Sequence, residues 1–209
     1  MARFSRTLCA LLVAGGCCSL LLAGASAQTS RGWSARPDQN AVGDQPGYEP
    51  SADDEQLPAE FQKQLVFFRT TEAPGTIVVN TSERFLYLVQ PNSRALRYGI
   101  GVGRAGFQWA GLKKIDRKSE WPDWTPPPEM IERQPYLPRF MAGGPGNPMG
   151  ARALYIAGTV YRIHGTNQPW TIGSAVSSGC FRLTTPDVSD LSERVPVGTR
   201  VVVLQPPQL

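Results

Sequence analysis

From Gln64 onward the chain is cut into short runs of β-branched and aromatic residues, each closed by a turn signal before a long helix could form. Gln64 to Thr70 (QLVFFRT), Thr76 to Asn80 (TIVVN), Arg84 to Gln90 (RFLYLVQ) and Leu96 to Val102 (LRYGIGV) read as strands. Pro74-Gly75, Asn80-Thr81-Ser82 and Pro91-Asn92-Ser93 punctuate them. Ala153 to Ala157, Val160 to Ile163 and Arg200 to Leu204 repeat the texture. Helix signals are few. Thr185-Pro186-Asp187 starts one that runs to Glu193, and Asn147 to Ala151 offers a further helical turn. The expectation is one mainly antiparallel β domain, a β-sandwich or barrel with few short helices.

Two stretches interrupt this pattern. Trp121 to Gly146 is rich in Trp and Pro, with Pro126-Pro127-Pro128 at its centre. Proline cannot donate to a sheet ladder, so a long loop is expected, either a lid over a binding site or a rigid cover on one sheet face. Gly101-Val102-Gly103-Arg104-Ala105-Gly106 fits the spacing of a dinucleotide-binding turn. That fingerprint needs a helix opening at its end. Phe107-Gln108-Trp109-Ala110-Gly111 follows instead, so the segment is read as a strand-end turn.

The N-terminus reads as an export leader. Arg3 and Arg6 precede an apolar run from Thr7 to Ala23, and Ala25-Ser26-Ala27 gives the small-x-small pattern of a cleavage site. Cleavage after Ala27 is expected. A retained anchor needs about 20 continuous apolar residues, and lipoprotein processing before Cys17 would follow a poor lead-in at Ala14-Gly15-Gly16. Residues 28–60 are acidic, polar and turn-rich, and are expected to be a disordered linker. Residues 61–209 form the domain. The whole chain carries a net charge of +4. Loss of the leader's two arginines lowers that further, too small a value to argue for a nucleic-acid partner. The positive charge concentrates beyond residue 60, which suits either an anionic polymer or simple solubility.

Cysteine placement sharpens the reading. Cys9, Cys17 and Cys18 leave with the leader, so Cys180 stands without an intramolecular partner in a compartment where thiols usually pair. It is a reactive thiol, an intermolecular link, or a buried small hydrophobe. The sole histidine, His164, ends the strand Val160 to Ile163. A thiolate nucleophile needs a neighbour that stabilises it and handles a proton, and imidazole does both. Gly179 permits a tight turn at the nucleophile, where backbone N–H groups can serve an oxyanion. Arg182, two residues beyond Cys180, shares its side of an extended segment. It can clamp a substrate carboxylate or pair with Asp187.

Ile163-His164-Gly165-Thr166 and Ser177-Ser178-Gly179-Cys180-Phe181-Arg182 together resemble the L,D-transpeptidase (YkuD-type) catalytic domain. Its motif reads HG(T/S), a gap of some residues, then (S/T)HGC-x-(R/N). Framework segments Pro74 to Val79, Arg97 to Gly103, Asn147 to Leu154 and Val197-Gly198-Thr199 extend the likeness. The resemblance implies a cysteine enzyme acting on peptidoglycan tetrapeptide stems. It would form a thioester at the third stem residue, expel D-alanine, and pass the acyl group to another stem's amine, giving 3–3 cross-links. Cys180 is then the nucleophile and His164 the acid/base, with the Gly165 carbonyl orienting the imidazole. Ser177, Ser178, Gly179 and Arg182 would shape the oxyanion and substrate contacts. Ser178 departs from the motif, which has a second histidine there. No metal or cofactor is implied. Water as acceptor would make an L,D-carboxypeptidase, and a protein lysine would make a ligase attaching outer-membrane proteins to peptidoglycan. A non-catalytic wall-binding module is the rival from another class, though it would need neither Cys180 nor His164. The leader and substrate together imply the periplasm. Trp121 and Trp124 are expected to flank the cleft.

Overall fold

The turn residues end the strands largely where their chemistry demands. The computed structural model describes residues 46–204; the leader, the first part of the linker and the last five residues lie outside the described residues. β1 (Gln64–Phe67), β2 (Ile77–Asn80), β3 (Phe85–Gln90) and β4 (Arg94–Gly99) come first. Asn92 and Ser93 take φ of 61° and 52° in the β3–β4 turn, the left-handed region that tight hairpins require. A short β5 (Val102–Gly103) and a long β6 (Gly111–Glu120) follow, then α1 (Pro128–Arg133), β7 (Arg152–Ile156) and β8 (Arg162–His164). The chain closes with β9 (Ala175–Ser177), β10 (Phe181–Arg182), α2 (Thr185–Arg194) and β11 (Arg200–Leu204).

Nine strands join in the order β1-β4-β3-β2-β11-β6-β7-β8-β10. β6 is the hinge of this arrangement. Its first residues pair with β11, as in Lys114 with Arg200, and its later ones pair with β7, as in Glu120 with Arg152. A bulge between Ile115 and Arg117 shifts the register of the pairing with β7, and bulges bend and twist a strand. Both halves contribute to one core. Ile77, Leu86, Tyr98 and Val201 meet Leu154, Ile163, Phe181 and Leu183 there, all 0–1% exposed. The expected mainly β domain is the observed one. Most pairs are antiparallel, but β2–β11, β8–β10 and β5–β9 are parallel.

α2 covers the core with Val188 and Leu191, one turn apart. Thr184 Oγ accepts from the Asp187 N–H at its start, while Lys118 Nζ donates to the Ser192 and Val195 carbonyls at its end. Each end therefore has a partner for its orphan backbone groups. Buried Tyr98 donates to Asp190, which also accepts from Arg194, tying α2 to β4.

Three expectations need correction. The disorder expected over residues 28–60 does not hold for residues 46–60, which are anchored to the domain at several points. Gly47 N–H donates to the Gly146 carbonyl, Asn167 donates to the Tyr48 carbonyl, and the Tyr48 ring meets Trp170 edge-on at 5.0 Å. Leu57 is buried, and Glu55 accepts from the Thr185 N–H at the start of α2. A few anchors with partners on the domain suffice where the average composition is polar. The Trp/Pro-rich stretch is likewise not all loop. Pro128 opens α1, where its missing N–H costs nothing. Trp124 and Met141 exchange two backbone hydrogen bonds of 2.8 Å, and a separate small core of Trp124, Leu137, Met149 and Ala153 holds the insertion down. Asn147 to Ala151 forms a turn rather than a helix, with Asn147 Oδ1 accepting from the Met149 N–H.

Candidate active site

Parallel pairing of β8 with β10 builds the site. Arg182 lies opposite His164, and Phe181 opposite Ile163. Continuing the register one residue back sets Cys180 level with Arg162. Residues two apart on a strand share a face, so Arg162 and His164 from β8 join Cys180 and Arg182 beside β10. All four line one cavity of about 500 Å³. The histidine is held on both sides, since β8 also pairs with β7 at Ala153 and its carbonyl accepts from the Leu183 N–H. His164 is 5% exposed and Arg182 is equally buried, while Cys180 is part-buried.

His164 Nδ1 lies 2.5 Å from the Gly165 carbonyl oxygen. A carbonyl only accepts, so the proton of the neutral ring sits on Nδ1 and Nε2 is left to take a proton. Gly165 is itself pressed against Gly150, its Cβ position falling 3.0 Å from the Gly150 Cα. Two glycines permit that approach, and through it the carbonyl that orients the ring is fixed.

The turn before Cys180 is tied from within and braced from outside. Ser177 Oγ donates to the Cys180 carbonyl at 2.6 Å and accepts from the Gly179 N–H at 3.2 Å. Gly179 has φ of +104°, and a Cβ there would stand 2.3 Å from the Tyr161 ring. Glycine is required on both counts. Trp109 donates from its indole N–H to the Gly179 carbonyl at 3.0 Å and stacks on Tyr161 at 5.1 Å. The glycine-rich segment rejected as a dinucleotide site supports the same turn. β5 runs beside β9, and the Arg104 N–H donates to the Ser177 carbonyl.

The electrostatics favour a neutral resting pair. Burial, reinforced by Arg182, pushes His164 down to about 3 against the hydrogen bond its Nδ1–H donates to the Gly165 carbonyl. Burial also pushes the Cys180 thiol up, opposed by Arg162 and Arg182. The unliganded site therefore holds a thiol and an uncharged imidazole, and charge appears only as a bond forms. Arg182 donates to Gln168 at 3.5 Å, and Asp187 is engaged by Thr184 at the start of α2.

Ser177, Ser178, Cys180, Arg182 and His164 all line the cavity, and the Gly165 carbonyl meets the His164 ring. The opposite wall is Trp124 with Pro126, Pro127, Pro128, Glu129 and Met130 of the insertion. Trp121 is not among the lining residues and is 41% exposed, so only one of the two tryptophans expected at the cleft is there. Arg162, Tyr161 and Trp109 escaped the sequence reading. Arg162 was within reach of it, being two residues before His164 on one strand. Nothing local marks the two aromatics. Among the described residues no group of three or more His, Cys, Asp and Glu is placed to hold a metal ion.

The chain is similar in sequence to several known proteins. A probable L,D-transpeptidase ErfK/SrfK of Escherichia coli is 44% identical over 140 residues, covering 63% of this chain and 44% of that protein. A putative L,D-transpeptidase YkuD of Bacillus licheniformis is 36% identical over 132 residues, covering 62% and 66%. A solved Brucella melitensis protein described as a probable carnitine operon oxidoreductase is 49% identical, covering 74% of this chain and all of that one. Its TM-score of 0.48 gives that superposition no weight. The chain thus spans less than half the length of the Escherichia coli relative. The L,D-transpeptidase catalytic domain family matches residues 74–203, both strands of the site included, and the chain belongs to it.

Proposed function

We propose that this protein is an exported cysteine L,D-transpeptidase that acylates Cys180 with a peptidoglycan tetrapeptide stem and forms 3–3 cross-links in the periplasm. The supporting observation is that Cys180 and His164, on neighbouring parallel chain segments, open into the same cavity. Cys180 Sγ attacks the carbonyl of the third stem residue as its proton passes to His164 Nε2. Backbone N–H groups of the Ser177–Cys180 turn receive the developing oxyanion, and Arg182 engages a stem carboxylate. Collapse breaks the C–N bond, and the imidazolium gives its proton to the departing D-alanine amine. The thioester is then attacked by the side-chain amine of a second stem, whose proton returns through His164 to the thiol. A neutral imidazole suits this cycle, because it must accept a proton first.

Intact-mass measurement on the reduced protein with a disaccharide tetrapeptide tests the reading. The expected result is an adduct on Cys180 equal to the stem less D-alanine, absent from Cys180→Ala, and 3–3 dimers on adding acceptor. Tripeptide alone would point to a carboxypeptidase, and an adduct consumed only by a protein lysine would point to a ligase. A folded protein that forms no adduct with either the stem or a carbapenem would be a wall-binding module. Export is checked by the mass of the periplasmic form, which should begin at Gln28.

A further inference from the structure

Three groups around Cys180 have been given roles, yet the residue level with it across the strand pair has none. Arg162 is placed there by the register that pairs His164 with Arg182. Its charge and N–H groups counter the upward push that burial gives the Cys180 thiol. The guanidinium lines the cavity beside the reacting atoms and sits 5.4 Å above the Tyr155 ring, a seat that limits its wandering. Charged neighbours facing this point are few. β8 gives Arg162 and His164, β10 gives Arg182, and α1 gives Glu129 on the far wall.

The chemistry needs a cation at this place. A thiol made less acidic by burial must become anionic during attack, and its base is an uncharged imidazole with depressed basicity. No imidazolium is present beforehand to hold the thiolate. The sequence motif has a histidine at the position before Gly179, where this chain has Ser178, which brings no charge. Arg182 reaches the same cavity but is drawn toward Gln168.

We propose that Arg162 is a catalytic residue, its guanidinium holding the Cys180 sulfur as it becomes anionic in both half-reactions. It gains and loses no proton. In the first half, the Sγ–H proton goes to His164 and the sulfur pair forms the S–C bond. In the second, that bond breaks and its pair returns to sulfur, which faces the guanidinium until the imidazolium reprotonates it. The step assignment rests on the transpeptidase reading, but the placement of Arg162 and Cys180 together in one cavity does not.

The test therefore begins without substrate. Ultraviolet thiolate absorbance and iodoacetamide alkylation are followed against pH for the wild type, Arg162→Gln, Arg162→Lys and Arg162→Met. Loss of the guanidinium is expected to raise the thiol midpoint by a unit or more, so that alkylation near pH 8 slows about tenfold. Lys should restore much of the shift, whereas Gln and Met should not. Carbapenem acylation followed by mass should slow in the same order while melting temperatures stay close together. Wild-type thiol profiles in Gln and Met would overturn the proposal. Should Gln misfold, Met preserves the stem on Tyr155 and Lys preserves the charge, and equal profiles for those two would be equally fatal. Arg162-dependent thiol titration in a protein that never takes a stem would sink the proposed function instead.

Discussion

The two walls of the cleft are made in different ways. The floor, β8 with the Ser177–Cys180 turn and β10, is part of a strand ladder that continues into the main core through Ile163, Phe181 and Leu183. The facing wall, Trp124 to Met130, hangs from a separate small core and a single two-bond bridge to Met141. One wall fixes where bonds change. The other fixes what can lie there. A ladder tolerates little displacement, and a pendant wall can be re-contoured without touching the nucleophile.

Substitutions separate the two. Cys180→Ala should abolish acylation outright with no loss of melting temperature, read by mass and calorimetry. His164→Gln should lower acylation by about a hundredfold or more, the usual worth of a general base. It should also change acid stability. The folded ring refuses a proton until about 3 while the unfolded one accepts it near 6.5, so the wild type loses stability as pH falls through that interval. The variant should lack that part of the slope in melts between pH 7 and 4, and an unchanged slope would refute the buried neutral ring. Gly179→Ala drives a Cβ into Tyr161 and strains φ, and a displaced sulfur should cost about a hundredfold in kcat.

The wall should behave otherwise. Trp124→Ala empties part of its core and should destabilise by about 3 kcal/mol. It should raise the KM for stem while leaving iodoacetamide alkylation of Cys180 as in the wild type, and Trp121→Ala should alter neither. If alkylation fell with Trp124, the walls would not be separable. Smallest is Ser178→Ala, about fivefold or less in acylation, the scale of one neutral hydrogen bond.

Much of the fold was legible because its signals are local. β3 and β11 fall where their apolar runs lie, and α2 begins where Thr184 can cap it. β6 was invisible despite being the longest strand, since GLKKIDRKSE has charge on both faces and only Ile115 is buried. Its place in the sheet comes from neighbours, not from its own pattern. The expected Leu96 to Val102 strand is two strands, β4 and β5, because the chain turns at Ile100-Gly101 to pair with new partners. Motif spelling pointed to Cys180 and His164, but not to Arg162 beside them in the same cavity. That follows from parallel register, which joins segments too far apart in sequence for any local rule. The wall was misread in part because proline was taken as a sign of loop alone, when Pro128 starts α1.

Trp109 turns the nucleophile turn into something that can be watched. Its indole hydrogen is shared with the carbonyl one residue before Cys180, and its ring lies flat on Tyr161. A displacement of that carbonyl would change the surroundings of the chromophore. The indole thus offers a label-free optical gauge of changes at the Cys180 turn, readable by stopped-flow emission.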